Sequence, residues 1–197
     1  MRRRHLIVFS IALSCVAAPY PDFPVKPARE YATVIIKSGL AVAVVPVEDR
    51  QDQHKYFGMD LRSRGCVPVF IVIENQTSTD SFLLKREGLM YSPAGRSRST
   101  LPNLAHPRKV DKVLAVAAVV PTIYSFMATV MVSRAKEVRQ NLLKTELQSM
   151  TLSPGASAHG FIFVPAHWEH SSRDKIQLAI PFARPGSSET MTVELAF

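Results

Sequence analysis

The sequence predicts a mainly β protein, an antiparallel β-sandwich, and three observations lead to this fold class. About seven or eight short runs rich in β-branched and aromatic residues are joined by turn-rich loops. The run 67–73 is β-branched on both faces, which predicts a central strand covered on both sides. The last run, 190–197, alternates apolar and polar residues, so we expect a half-exposed strand there.

The remaining strands are predicted from the same composition. They are residues 31–36, 40–47, 81–85, 160–164 and 175–180. The first two flank Lys37-Ser38-Gly39, a short turn that predicts a hairpin. Residues 48–54 are polar and predict a loop. No internal repeat is visible in the sequence.

A helical insertion is expected between the strands, over about residues 105–150. From 134 to 150, apolar residues recur at helical spacing with charged residues between them, which predicts an amphipathic helix. Pro154 and Gly155 follow it. Before it, the stretch 113–133 contains no charged residue. As a helix this stretch would reach about 30 Å, the thickness of the hydrocarbon core of a bilayer.

Three interpretations of this apolar segment stay open: a transmembrane helix, a membrane-dipping helix pair bent at Pro121, or a helix packed against the sandwich. A single crossing would separate the strands before it from those after it and expose their edges. We therefore expect membrane association without separation of the two halves. Pro121 and the basic residues on both sides of the segment are candidates for contact with the membrane. These basic residues are Arg108, Lys109, Lys112, Arg134 and Lys136.

The N-terminus predicts export. Residues 1–18 combine a basic start, a short apolar run and a small-residue end, as in a secretory signal peptide. Cys15 follows a loose match to the bacterial lipobox and is a candidate for lipidation, with plain cleavage after Ala17 as the alternative. Residues 19–30 have a proline at almost every third place and predict an extended tether. Residues 31–197 are expected to form a single domain.

Composition and charge limit the classes of partner. A hydrophobic content of 47% in 197 residues excludes a disordered chain. The formal net charge is +8, of which Arg2, Arg3 and Arg4 belong to the signal. The remaining basic excess suits an anionic envelope surface, so we expect membrane lipid, or another envelope protein, as partner. The export signal argues against nucleic acid.

No motif in the sequence predicts catalysis, a cofactor or a metal site. His167 and His170 lie three apart in an expected loop, without the i, i+4 spacing of a zinc-protease helix. Trp168 between them is a candidate anchor at a lipid interface or a cap over the core. Cys66 is expected to be a small buried hydrophobe, without a disulfide partner. Four further polar residues are interpreted as loop solvation: Asp49, Asp52, His54 and Asp60.

Several short blocks carry a resemblance. They are Phe57-Gly58-Met59-Asp60-Leu61, Gly65-Cys66-Val67-Pro68-Val69, Ile73-Glu74-Asn75, and Leu152-Ser153-Pro154-Gly155 followed by Gly160-Phe161-Ile162-Phe163. With these blocks, about half of the mature chain resembles a pattern found in uncharacterised bacterial envelope lipoproteins. The resemblance implies an immunoglobulin-like sandwich and carries over no functional residue.

Together these observations predict a non-enzymatic protein of the bacterial cell envelope. We expect it on the periplasmic side, associated with a membrane, as a binding or structural module for another envelope protein or a lipid. Two alternatives remain at this level. One is a carrier of an acyl chain or lipid, and the other is a hydrolase of an envelope polymer that would use Asp60, His167 and His170.

Overall fold

Two sheets, mainly antiparallel, make up the fold. The computed structural model describes residues 20–64, 66–92, 99–101, 124–165, 176–186 and 190–196, with the backbone alone for 124–134 and 165. The strands within these ranges are β1 Ile35–Lys37, β2 Leu40–Pro46, β3 Cys66–Asn75, β4 Phe82–Leu84, β5 Met90–Ser92, β6 Ser99–Thr100, β7 Met150–Leu152, β8 Ser157–Pro165, β9 Gln177–Ala183 and β10 Thr190–Ala196. The helices are α1 Arg50–Phe57 and α2 Tyr124–Thr145, with 3₁₀ turns at Ala28–Glu30, Arg62–Arg64 and Arg86–Gly88.

The first sheet has the strand order β1-β2-β3-β8. Its opening hairpin is confirmed, although β1 begins at Ile35 and not at Tyr31. Lys37 pairs with Leu40 across a two-residue turn, in which Ser38 has φ 50° and Gly39 has φ 80°. Two positive φ values in succession are those of the type I′ turn, whose twist matches that of the flanking strands. The long central pairing is β3 with β8, from Cys66 opposite Pro165 to Glu74 opposite Ser157.

The second sheet is arranged around β9. Strand β10 pairs with β9 along its whole length, and β4 and β5 pair with opposite ends of β9. Pro181 stands in this strand opposite the 3₁₀ turn between β4 and β5, where the ladder is interrupted. On the other side of β9, Pro181 pairs with Thr192 of β10.

The main core lies between the two sheets. Alternate residues of β2, β3 and β8 meet inward-facing residues of the second sheet. The fully enclosed members include Leu40, Val42, Ile71, Ile162, Leu178, Ile180 and Val193. Strand β10 is half-exposed, as predicted: Val193 and Leu195 are buried, whereas Thr190, Glu194 and Ala196 are exposed.

A second apolar cluster covers the outer face of the first sheet. The prediction that 67–73 is covered on both faces is confirmed, since every residue from Val67 to Ile73 is buried. The side chains on this outer face are largely aromatic and meet edge-on: the rings of Phe57 and Phe161 have centroids 4.8 Å apart at 84°. These aromatic side chains form an aromatic layer with the residues that cover them, which come from 20–34, α1, Leu61 and the end of α2.

The described part of the proline-rich segment packs on this layer. The ring of Phe23 lies 4.8 Å from that of Tyr56 and 4.7 Å from that of Phe70. The backbone N–H of Ala28 donates to Glu74 Oε1 at 2.9 Å. Residues 20–30 are therefore attached to the domain, whereas residues 1–19 lie outside the described residues.

The prediction of a loop over 48–54 is wrong, because Arg50–Phe57 is a helix. Asp49 caps it: Oδ1 accepts the N–H of Gln51 at 2.7 Å and that of Asp52 at 3.0 Å. Gly58, with φ 75°, ends the helix in the left-handed conformation. The polar run hid the helix because its buried apolar residues, Tyr56 and Phe57, stand only at its end.

The amphipathic helix is present but ends at Thr145, not at Met150. After it the chain joins the first sheet: Glu146 forms a parallel bridge with Phe161, and the N–H of Leu147 donates to the carbonyl of Phe161 at 2.8 Å. Met150 opens β7. Leu147 and Met150 fitted the helical spacing, but they are apolar because they pack on the core between the sheets.

Candidate functional site

A shallow polar pocket lies between α1 and the Arg62–Arg64 turn that follows it. Its volume is about 340 Å³. Seven residues line it: Arg50, His54, Gly58, Met59, Asp60, Ser63 and Arg64. Arg50 and His54 are one helical turn apart on α1, so they face the same side. Ser63 and Arg64 come from the 3₁₀ turn Arg62–Arg64.

Asp60 organises this pocket. Its Oδ2 lies 3.2 Å from Arg50 Nε, and its Oδ1 accepts the N–H of Ser63 at 2.9 Å. The side chain of Asp60 is 16% exposed, whereas that of Arg50 is 75% exposed. The carboxylate therefore acts as a fixed support that holds the guanidinium of Arg50 at the rim of the pocket.

The pocket brings His, Asp and Ser together without the geometry of a catalytic triad. Nucleophilic catalysis needs a serine hydroxyl that donates to the histidine, which the carboxylate orients in turn. Here Ser63 Oγ donates to the backbone carbonyl of Asp60 at 2.9 Å, and the Asp60 carboxylate binds Arg50 and the Ser63 amide. The chemistry that the two arginines of this pocket favour is anion binding.

Helix α2 is fixed to the domain through its last two turns. Val138 is buried, and Leu142 packs on the aromatic layer. Asn141 Nδ2 donates to the carbonyl of Tyr56 at 2.7 Å. Lys144 Nζ lies 3.8 Å from Asp22 Oδ1, which links the helix to the N-terminal segment.

A buried ion pair follows the end of α2. Arg86 Nη2 pairs with Glu146 Oε1, and both side chains are more than nine-tenths buried. The N–H of Arg86 also donates to Ser149 Oγ at 2.9 Å. The chain after α2 is thus joined to both sheets, since Arg86 follows β4 and Glu146 bridges β8.

Most of the residues predicted to form the site lie outside the described residues. These are Cys15, Arg108, Lys109, Lys112, Pro121 and Trp168, together with His167 and His170. Arg134 belongs to α2, where only its backbone is described, and Lys136 is exposed on the same helix. The pocket at α1 was not predicted. The spacing of Arg50 and His54 could have indicated it if 50–57 had been recognised as a helix.

Two remaining predictions concern Cys66 and metal binding. Cys66 was expected to be buried; it is a free cysteine of intermediate burial that packs against the aromatic layer. Burial raises the pKa of its thiol from 9.0 to about 12. Within the described ranges, no group of three or more His, Cys, Asp or Glu residues is placed to hold a metal ion.

The described helices include none with the length and hydropathy needed to cross a bilayer. Only 124–133 of the predicted apolar segment are described, as the first part of α2, and 113–123 lie outside the described residues.

Comparison with known proteins gives no relative: no protein-family model, no curated protein and no solved structure matches this chain.

Proposed function

We propose that this chain is a non-enzymatic binding or structural module of the bacterial cell envelope. In this proposal the two sheets form an immunoglobulin-like sandwich on the periplasmic side. The apolar segment 113–133 holds this sandwich at a membrane, where it presents a surface to another envelope protein or to lipid.

The observation that carries the proposal is strand pairing across the apolar segment. Strand β3, from the part before it, pairs with β8 from the part after it over nine residue pairs. In the second sheet, β4 pairs likewise with β7 and β9. Paired strands share one compartment, so the parts of the chain before and after the segment lie on the same side of any membrane. This supports a membrane-dipping or interfacial attachment over a single crossing.

Helix α2 supplies a mechanical connection for such an attachment. Its first ten residues, 124–133, belong to the uncharged stretch, and its last turns are docked on the domain. Because the apolar end and the docked end belong to one helix, binding of the apolar end to lipid would hold the domain close to the membrane. Arg134 and Lys136 follow the uncharged stretch directly, where cations would meet lipid phosphates.

Membrane extraction tests the proposal. The chain would be expressed with its signal in a bacterial host as Cys15→Ala, so that acylation contributes nothing. Envelopes would then be washed with alkaline carbonate. We expect the protein in the pellet. The double variant Val119→Asp, Val120→Asp should move it to the soluble fraction, because charge in the segment opposes contact with lipid.

Ile36→Asp is the matched control, since Ile36 is an exposed apolar residue on the domain, 54% accessible. It should stay in the pellet. A Cys15→Ala parent found entirely in the soluble fraction would contradict the proposed role of the segment.

Lipidation is tested separately by metabolic palmitate labelling. The lipoprotein interpretation requires label on the wild type and none on Cys15→Ala. Label that persists on Cys15→Ala would remove it.

A further inference from the structure

We propose that the pocket between α1 and the Arg62–Arg64 turn binds a phosphate group, with an anionic lipid headgroup as the ligand. The phosphate chemistry depends only on the pocket. The lipid as the source of that phosphate rests on the proposed function.

The arginines of the pocket carry N–H groups that can donate to a ligand. A guanidinium carries five N–H donors in a planar fork that matches phosphate oxygens. Arg50 meets Asp60 through Nε, so its two terminal amino groups are left to donate to a ligand. Arg64 lines the pocket from the 3₁₀ turn, and His54 lies one turn along α1 from Arg50.

The side chains that line the pocket carry a net positive charge. Asp60 is the one carboxylate among the lining residues, and it is neutralised by Arg50 and held by the Ser63 amide. No carboxylate among the described residues pairs with Arg64, so Arg64 gives the lining a net positive charge. The nearby Asp49 has its Oδ1 engaged in the two bonds that cap α1, so that oxygen is held at the helix start.

The pocket lies next to Tyr20, the first described residue of the N-terminal segment. Gly58 forms part of the pocket wall, and Tyr20 packs directly on it: a Cβ added at Gly58 would lie 2.3 Å from the Tyr20 hydroxyl. Tyr20 is five residues after Cys15, so the chain between them spans at most about 18 Å. If Cys15 carries an acyl anchor, lipid headgroups would lie within reach of this pocket.

Binding to the purified full chain tests the inference. Three probes would be titrated and followed by calorimetry: inorganic phosphate, monomeric dihexanoyl phosphatidylglycerol, and dihexanoyl phosphatidylcholine. We expect the phosphatidylglycerol to bind and the zwitterionic lipid to bind at least about tenfold more weakly. Inorganic phosphate should bind more weakly than phosphatidylglycerol and displace it only at a higher concentration. Competition at equal affinity would overturn the lipid as the source and assign the pocket to free phosphate.

Arg64→Gln removes the net positive charge of the lining and should weaken phosphatidylglycerol binding about tenfold or more. Arg29→Gln is the matched control, because Arg29 lies in the same layer outside the pocket, where it binds Gln76 Oε1 at 2.7 Å. It should bind as the parent does. Equal binding by Arg64→Gln and the parent, with urea midpoints unchanged, would overturn the inference.

The carbonate-extraction result is independent of this pocket. If Arg64→Gln loses lipid binding while it stays in the membrane pellet, both proposals stand. If the parent is soluble after extraction but still binds phosphate through Arg64, the proposed function fails alone.

Discussion

Among single residues, Asn75 joins three parts of the chain at the end of β3. Its Nδ2 donates to the carbonyl of Asp80 at 2.7 Å and to that of Leu152 at 3.1 Å. Its Oδ1 accepts the N–H of Thr77 at 3.1 Å and the hydroxyl of Thr77 at 2.7 Å. The side chain is buried and its hydrogen-bonding capacity is filled, so Asn75 pins the turn after β3 to β7 in the second sheet.

Asn75→Ala should lower the free energy of unfolding by about 3 kcal/mol, because it leaves the buried carbonyl of Leu152 without its side-chain donor and removes the bonds to Asp80 and Thr77. Urea denaturation measures the change. Gln76→Ala is the control, since Gln76 is exposed, and it should cost less than about 0.5 kcal/mol. Equal effects of the two substitutions would show that Asn75 does not connect the sheets.

Cys66 should react slowly with thiol reagents in the folded protein. Burial raises its pKa to about 12, so at pH 9 the thiol stays protonated, whereas the unfolded chain is substantially ionised. The same difference in pKa makes stability fall as pH rises from 9 toward 12, since the unfolded state releases its proton first. Mass-spectrometric mapping of iodoacetamide labelling at Cys66, with and without urea, measures the difference. Labelling at the same rate in both conditions would refute it.

Among the elements, the chain that follows α2 is held by the buried pair between Arg86 and Glu146. Glu146 supplies a carboxylate to the buried guanidinium of Arg86, so Glu146→Leu should lower the free energy of unfolding by about 3–5 kcal/mol. The double variant Arg86→Met, Glu146→Leu should recover much of this loss. Urea denaturation of both variants tests the argument, and a double variant less stable than Glu146→Leu would contradict it.

The contact between β8 and the chain after α2 depends on Gly160. A Cβ at this position would lie 2.7 Å from Leu147 Cα and 2.8 Å from Leu147 N, which are backbone atoms with little freedom to move. Gly160→Ala should therefore cost about 2–3 kcal/mol by overpacking. Gly186→Ala meets no atom within 4 Å and should cost about 1 kcal/mol, for its φ of 79°. Thermal unfolding that ranks the two in the reverse order would exclude this contact as the cause.

The elements also show which patterns carried information in the sequence. The hairpin at Gly39, the doubly buried β3 and the alternating β10 were predicted because each depends on local composition. Helix α1 was missed because its boundaries depend on the Asp49 cap and on Gly58, and its polar run resembles a loop. Missing α1 meant missing the pocket, since Arg50 and His54 share a face only in a helix. The end of α2 was misplaced because Leu147 is apolar for contacts distant in sequence.

For the whole molecule, the central claim is that the parts before and after the apolar segment fold together in one compartment. Both sheets combine strands from the two parts, and the aromatic layer does the same, since Phe23, Phe70 and Phe161 contact one another. Separating the parts would open both cores. The account therefore requires that residue 55, on α1, and residue 190, on β10, face the same side of the membrane.

Thiol tagging of cells whose outer membrane is opened and whose inner membrane is intact tests this claim most directly. Lys55→Cys and Thr190→Cys would each be placed in a Cys15→Ala, Cys66→Ala background and treated with a membrane-impermeant maleimide after the outer membrane is opened. Both positions are exposed in the structure, so access is limited only by the membrane. The account predicts that both are labelled before lysis. Labelling of Lys55→Cys before lysis, with Thr190→Cys labelled only after it, would contradict it.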